Sequence, residues 1–157
     1  MQLIKRILFP VDFSESSSKI VPYVQELGDV YKAEVHLLYV ARSLSYLSVV
    51  SVSDATVSSV EEAILEGSQR SMIQFRDRYF KNYPNLVTFI KSGYAPEEIL
   101  NYAVKNDISL IIMGTHGRRG LEKVIFGSVA EQVVKTSSTP VMVINPHRVK
   151  QSSVDHV

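Results

Sequence analysis

Gly114-Thr115-His116-Gly117-Arg118-Arg119-Gly120-Leu121-Glu122-Lys123-Val124-Ile125-Phe126-Gly127-Ser128 holds four of the seven glycines in the chain. It directly follows Leu110-Ile111-Ile112-Met113, an apolar run with the length and β-branching of a buried strand. Beyond it, Ser128-Val129-Ala130-Glu131 has the Ser-x-x-Glu spacing of a capping box, so Ser128 is expected to cap a helix running on through Lys135. A strand therefore feeds a glycine loop that ends at a helix N-terminus. There the unpaired N–H groups and the positive end of the helix dipole favour an anion, and glycine lets it approach the backbone closely. The pattern predicts a phosphate cradle. The alternative is that the glycines only turn the chain from strand to helix, but a plain βα connection needs only about 2–6 residues and this one is much longer.

Outward from this loop, strand-like and helix-like segments alternate. Ile7-Leu8-Phe9 is stopped by Pro10, which lacks the N–H to continue a central ladder, and Asp12 follows at its carboxyl end. Ser14 is the expected N-cap, and Ile20, Val21, Val24, Leu27 and Tyr31 give the next helix one apolar face. Pro22 inside that face implies either a kink or a late start. Glu34–Val40 forms a second strand too apolar to have one side in water, as in a parallel sheet covered on both faces. His36 within it has no second histidine or carboxylate at metal spacing and reads as structural.

From Ala41 to Ser59 the chain carries seven serines from Ser43 onward and no helical period, which predicts a long loop, with Val49–Val52 as an alternative stray strand. Helical spacing returns over Glu61–Tyr83, with Leu65, Ser68, Met72, Phe75 and Tyr79 on one side. Leu86–Ile90 is a third strand. Pro96 with Glu97 and Glu98 opens a helix that buries Ile99, Leu100, Ala103 and Val104. Asp107–Met113 is the fourth strand, the last helix buries Val129, Val133 and Thr136, and Val141–Ile144 is the fifth strand.

Five strand–helix alternations imply one open five-stranded parallel sheet with right-handed crossovers and helices on both faces. If the winding reverses beside the first strand, the order is 3-2-1-4-5, and ligands in such Rossmann-like sheets bind beyond the carboxyl ends at the reversal. Those ends are Pro10-Val11-Asp12 and Met113-Gly114. The expected site therefore comprises Pro10, Val11 and Asp12, the Val40 backbone at the end of the second strand, Met113, Gly114, His116, Gly117, Arg118, and Gly127, Ser128 and Val129 at the helix start. Backbone N–H groups at Gly117, Gly127 and Ser128, with the Ser128 hydroxyl, suit phosphate oxygens. Ionised Asp12 only accepts hydrogen bonds, so it suits a ribose hydroxyl or a base amino group. It equally suits capping the first helix or bonding the Ser14 N–H. His116 and Arg118 either pair with phosphates or are solvated loop cations.

The loop contains neither Gly-x-Gly-x-x-Gly nor a P-loop. In the form Gly114-x2-Gly117-x9-Gly127-Ser128 it resembles the nucleotide motif of the universal stress protein family. Ile7-Leu8-Phe9-Pro10-Val11-Asp12-Phe13-Ser14 is similar to the opening strand and turn of that family, Met113–Gly117 to its fourth strand end, and Thr139–Ile144 to its last strand. The resemblance covers nearly the whole chain. It implies the ATP-binding subgroup, with ADP or AMP as alternatives and Mg²⁺ or Mn²⁺ as a companion ion. It also implies a base lined by the backbone near Val40, and a homodimer through Val141, Met142, Val143 and Ile144, whose apolar edge strand a monomer avoids exposing.

Composition sets the outer limits. A chain of 157 residues, 45% hydrophobic and 21% charged, suits one globular domain, here residues 1–146, with 147–157 as a flexible tail. The absence of cysteine removes thiolate chemistry and sulfur-based zinc sites, and a net charge of +1 gives no field for gripping nucleic acid or a membrane. Met1–Arg6 lacks a signal-peptide pattern and no apolar run approaches the ~18–20 residues that span a bilayer, so a cytoplasmic location is expected. There is no Gly-x-Ser-x-Gly elbow, no His-Glu-x-x-His and no His-x-Gly-His. Binding is thus expected over catalysis, with a slow ATPase or nucleotidyl transferase as the enzymatic alternative and a nucleotide-free dimeric interaction module as the third.

Overall fold

The structure is a computed structural model and describes residues 3–43, 53–116 and 126–149. In chain order it runs β1 (Arg6–Pro10), α1 (Glu15–Tyr31), β2 (Glu34–Ala41), α2 (Asp54–Tyr79), β3 (Leu86–Ser92), α3 (Ala95–Lys105), β4 (Leu110–Gly114), α4 (Ser128–Thr136) and β5 (Val141–Ile144). The strands form one sheet in the order β3-β2-β1-β4-β5, with every pair parallel. This is the topology expected from the alternation.

Because successive strand residues point to opposite faces, the sheet builds two cores. Ile7, Phe9, Val35, Leu37 and Ile112 pack with Ile20 and Val24 of α1 and Met72 and Phe75 of α2. Leu8, Leu38, Ile111 and Met113 pack on the other side with Ile99 and Ala103 of α3 and Ala130 and Val133 of α4. Ser14 caps α1 through its Oγ, which accepts from the Ser17 N–H at 3.4 Å. α1 runs unbroken from Glu15 through Pro22, which rules out a late start.

Several sequence expectations are corrected. α2 starts at Asp54, within the segment expected as loop, with Ser53 as N-cap and the Thr56 N–H donating to its Oγ at 3.4 Å. Its first turns show no hydrophobic period because they face no core, residues 53–56 and 58–60 being exposed. The alternative strand at Val49–Val52 lies outside the described residues. α2 ends at Tyr79 rather than Tyr83: Asn82 (φ 63°) and Asn85 (φ 55°) are left-handed, turning the chain into β3 while Phe80 folds back into the core. Leu65 and Val104 are exposed, and Tyr102 takes the buried place on α3. Thr136 is also exposed, its hydroxyl donating to the Gln132 carbonyl at 2.7 Å.

At the amino ends of the strands, His36 is buried, with Nδ1 2.7 Å from the Tyr102 hydroxyl and Nε2 2.7 Å from Glu34 Oε1. Its role is structural, as its lone position in the sequence indicates.

Two tyrosines couple this packing to pH. Burial, then the charge of Asp29 and a hydrogen bond to it, push Tyr83 from 10.0 up to about 12. Burial, then the charge of Glu34, also raises Tyr102. Both phenols keep their protons longer folded than unfolded, so from about pH 10 upward the folded state binds more protons and loses stability as pH rises. The melting temperature should therefore fall between pH 10 and 12, and Tyr83→Phe/Tyr102→Phe should show a shallower fall in the same scan.

Candidate functional site

β1 pairs with β4 through Ile7↔Leu110 and Leu8↔Ile111, and with β2 up to Pro10↔Leu38. The chain ends at Pro10-Val11-Asp12 and Met113-Gly114 thus leave the sheet side by side. Beyond Pro10 the Val11 N–H still reaches the Leu38 carbonyl at 2.9 Å, which keeps the start of the β1–α1 turn against β2, two residues before Val40. On the other side the Thr115 N–H donates to the Ile144 carbonyl at 2.9 Å, and the Gly127 N–H donates to the Thr115 carbonyl. The departing and returning arms of the glycine loop are therefore tied at its base.

Pro10, Val11, Asp12, Val40, Met113, Gly114, His116, Gly127, Ser128 and Val129 lie among the described residues, whereas Gly117 and Arg118 lie outside them. Met113 and Val11 are core side chains, so only their backbones face this end of the sheet. His116 is buried, its Nδ1 2.8 Å from Thr115 Oγ1 and its ring edge-on to His147 at 5.0 Å. Ser128 is not the cap expected from the Ser-x-x-Glu spacing. Gly127 occupies the N-cap position and Ser128 is the first helical residue, with its side chain exposed. Glu131 does not reach back; its carboxylate pairs with Lys135 Nζ at 2.6 Å, and that hydrogen bond holds it below the usual carboxylate range.

Asp12 is held by its neighbours. Its Oδ1 accepts from the Ser14 N–H at 3.0 Å, from Ser14 Oγ at 2.5 Å and from Ser17 Oγ at 2.7 Å. The Ser17 hydroxyl in turn accepts from the Asp12 N–H at 3.1 Å. Phe13 between them is left-handed (φ 62°), an arrangement costing a non-glycine residue roughly 1–2 kcal/mol. Its ring offsets this by packing on Tyr39 at 4.6 Å and Phe75 at 5.9 Å. The left-handed residue folds Ser14 back onto the Asp12 carboxylate, so the hydrogen bond of the helix-capping reading is present.

The described glycines are sites of close approach. A Cβ on Gly114 would lie 2.8 Å from Ile20 Cδ1 and 3.1 Å from the His116 carbonyl oxygen. On Gly127 it would lie 3.2 Å from the Thr115 carbonyl oxygen, the atom its own N–H bonds. Both positions let α1 and the loop arms close on the end of β4.

Sequence inspection missed Ser17, Phe13 and His147. Ser17 sits three residues after the N-cap, where a side chain reaches back past the helix start, and the Ser14-x-x-Ser17 spacing was the available signal. A left-handed phenylalanine has no sequence signature. His147 lies on the turn beginning at Asn145, which packs through the fully buried Pro146.

Fold and loops together define a doubly wound parallel sheet whose winding reverses between β1 and β4. The profile described as the universal stress protein family matches residues 3–145, and the chain belongs to that family. It is 30% identical over 152 residues to universal stress protein MJ0577 of Methanocaldococcus jannaschii, covering 89% of this chain and 94% of that one. It is 28% identical over 142 residues to MJ0531 of the same organism, covering 90% and 82%. Among solved structures, hypothetical protein MJ0577 superposes with a TM-score of 0.77 at 28% identity, over 91% of this chain and 96% of that one.

Gly114→Ala should lower stability by about 1–3 kcal/mol in urea unfolding, the usual cost of overpacking. Adding Ile20→Val, which removes the clashing Cδ1, should make the double variant more stable than Gly114→Ala alone.

Proposed function

We propose that the chain binds an adenine nucleotide, ATP foremost, beyond the carboxyl ends of β1 and β4. It would act in the cytoplasm as a nucleotide-dependent stress-response or regulatory protein. The observation that carries this reading is the juxtaposition of Asp12 with a glycine loop tied at Thr115 and Gly127, at the point where the strand order reverses. Backbone N–H groups of the loop and of the first turn of α4 take the phosphates, Gly127 excepted because its N–H is paired with the Thr115 carbonyl, and the dipole of α4 assists. Asp12 accepts from the ribose or the base, and the Val40 backbone lines the base. Gly117, Arg118 and His116 complete the cradle.

Two proteins of this fold have been solved with nucleotides. One is a universal stress protein in complex with cAMP, the other the Archaeoglobus fulgidus protein in complex with dAMP. At 15% and 16% identity they speak only for what the fold accommodates. Among the described residues no group of three or more His, Asp or Glu side chains forms a metal cage. A Mg²⁺ or Mn²⁺ ion would come with the nucleotide, held by phosphate oxygens and water. No described helix is long and apolar enough to cross a membrane.

Calorimetry with ATP, ADP and AMP tests the reading. ATP should give a saturable heat, and Asp12→Asn, which keeps an oxygen for the serines but replaces an acceptor by a donor, should weaken ATP about tenfold, the worth of one hydrogen bond to a charged group. No heat with any of the three would overturn nucleotide binding in favour of an interaction module. Multiple turnovers of ATP, abolished by Asp12→Asn, would instead make the protein an ATPase or transferase.

β5 is an edge strand with Met142 38% exposed, and we propose that a second copy pairs along Val141–Ile144. Light scattering should give twice the chain mass; a monomer at high concentration would refute the pairing.

A further inference from the structure

We infer that an exposed stripe of α2 is a contact between two copies of the chain, which pack antiparallel about a twofold axis at Gln69. The buried residues of α2, Ser68, Met72 and Phe75, all lie in its second half. A neighbouring stripe of Glu62, Leu65, Gln69, Ile73 and Arg76 is exposed throughout. At 3.6 residues per turn this spacing keeps all five within about 80° of the helix circumference. Leu65 is 37% exposed and Ile73 49%. Two aliphatic side chains in water need no explanation by themselves. What selects their occupant is the order in which charged and apolar groups succeed one another.

The first half of the helix carries Asp54, Glu61, Glu62 and Glu66 and no base, whereas the second half carries Arg70, Arg76 and Arg78 with Asp77. Acids first and bases last suit the helix dipole, and Glu66 reaches Arg70 within the helix at 4.0 Å. Neither effect joins Glu62 to Arg76, which stand about 21 Å apart along the axis. An antiparallel copy does. With the axis at Gln69, Leu65 meets Ile73 of the second copy and Glu62 meets its Arg76, and symmetry makes each pair twice. In the single chain the Arg76 guanidinium turns to Asp77 at 2.8 Å, an exposed pair that is easily exchanged. A parallel copy would oppose acid to acid, and a partner of uniform charge would be repelled by one half of the helix. α2 packs on β2 and β3, and β3 is the edge opposite β5, so this contact is independent of pairing at β5. One helix pair falls below the roughly 1,200 Å² of a stable interface, which makes the association weak and visible at high concentration.

The chain has no cysteine, so a single introduced thiol reads the axis directly. Under mild oxidation Gln69→Cys should form a disulfide between two copies, whereas Gln74→Cys, exposed on the same helix but off the stripe, should not. In sedimentation velocity the native chain should show a concentration-dependent association step, beyond any pairing at β5, that Ile73→Asp removes without lowering the melting temperature. Glu62→Arg or Arg76→Glu alone should weaken that step about tenfold, since symmetry breaks the ion pair twice, and Glu62→Arg/Arg76→Glu should restore it. Rescue cannot arise within one helix, where the two side chains are too far apart to meet. Equal cross-linking at both thiols, which is random collision, overturns the contact, as does a double variant no better than the single ones. Absence of the association step overturns it too, and if Ile73→Asp then melts lower, the chain itself covers the stripe.

Discussion

β1 is hydrogen-bonded by parallel partners along both edges, and that double pairing decides where the chain leaves the sheet. Its three central residues, Ile7, Leu8 and Phe9, are wholly buried, alternating between the two cores. Each such side chain contributes roughly 1.5–3 kcal/mol, and a slip of one residue would exchange the two faces. The register is therefore fixed, and with it the height at which the chain leaves the sheet. Pro10, with no N–H to donate, closes the strand at the level where β4 ends in Gly114. Two loops distant in sequence are brought together by pairing alone, before any ligand is considered.

The parts of this architecture legible in the sequence are those governed by local pattern. Leu110–Met113 and Val141–Ile144 are short apolar runs between breakers, and Pro96 followed by two acids marks a helix start. Legibility failed where tertiary contacts decide. The Ser128 capping box has the right letters, yet Gly127 takes the cap because its N–H is already committed to the Thr115 carbonyl and its backbone must pass within reach of that atom. The first turns of α2 carry no apolar stripe, and their residues 53–56 and 58–60 are exposed, so periodicity had no signal to give. Phe13 is the sharpest case: its left-handed backbone is tolerated only because Tyr39 and Phe75 receive its ring, and those contacts come from two other elements.

The two ends of the sheet differ in which groups tie the strands together. At the amino ends, Ser109 Oγ accepts from the Lys5 and Arg6 N–H groups and donates to the Arg6 carbonyl, while the Arg6 guanidinium lies near both Glu34 and Asp107. Below them His36 joins Glu34 to Tyr102. These bonds tie strand ends to one another. At the carboxyl ends the Val11 and Thr115 N–H groups donate to the Leu38 and Ile144 carbonyls of neighbouring strands, and the backbone is then drawn into turns by glycines and a left-handed residue. Side-chain bonds at the amino ends contribute stability, whereas strain and long loops collect at the carboxyl ends, the kind of place where folds carry function.

Asp12 shows why a structural and a functional reading of one residue need not compete. Taken alone, its bonds to Ser14 and Ser17 describe a helix-start device, and they would be sufficient reason for an aspartate there. Yet all three act on Oδ1, and an ionised carboxylate has about four acceptor positions spread over two oxygens. A residue required only as a cap would function as well with asparagine, whose single carbonyl oxygen can receive the same three donors. Asp12 follows β1 where the strand order reverses, so the contacts that anchor the helix also fix its carboxylate there.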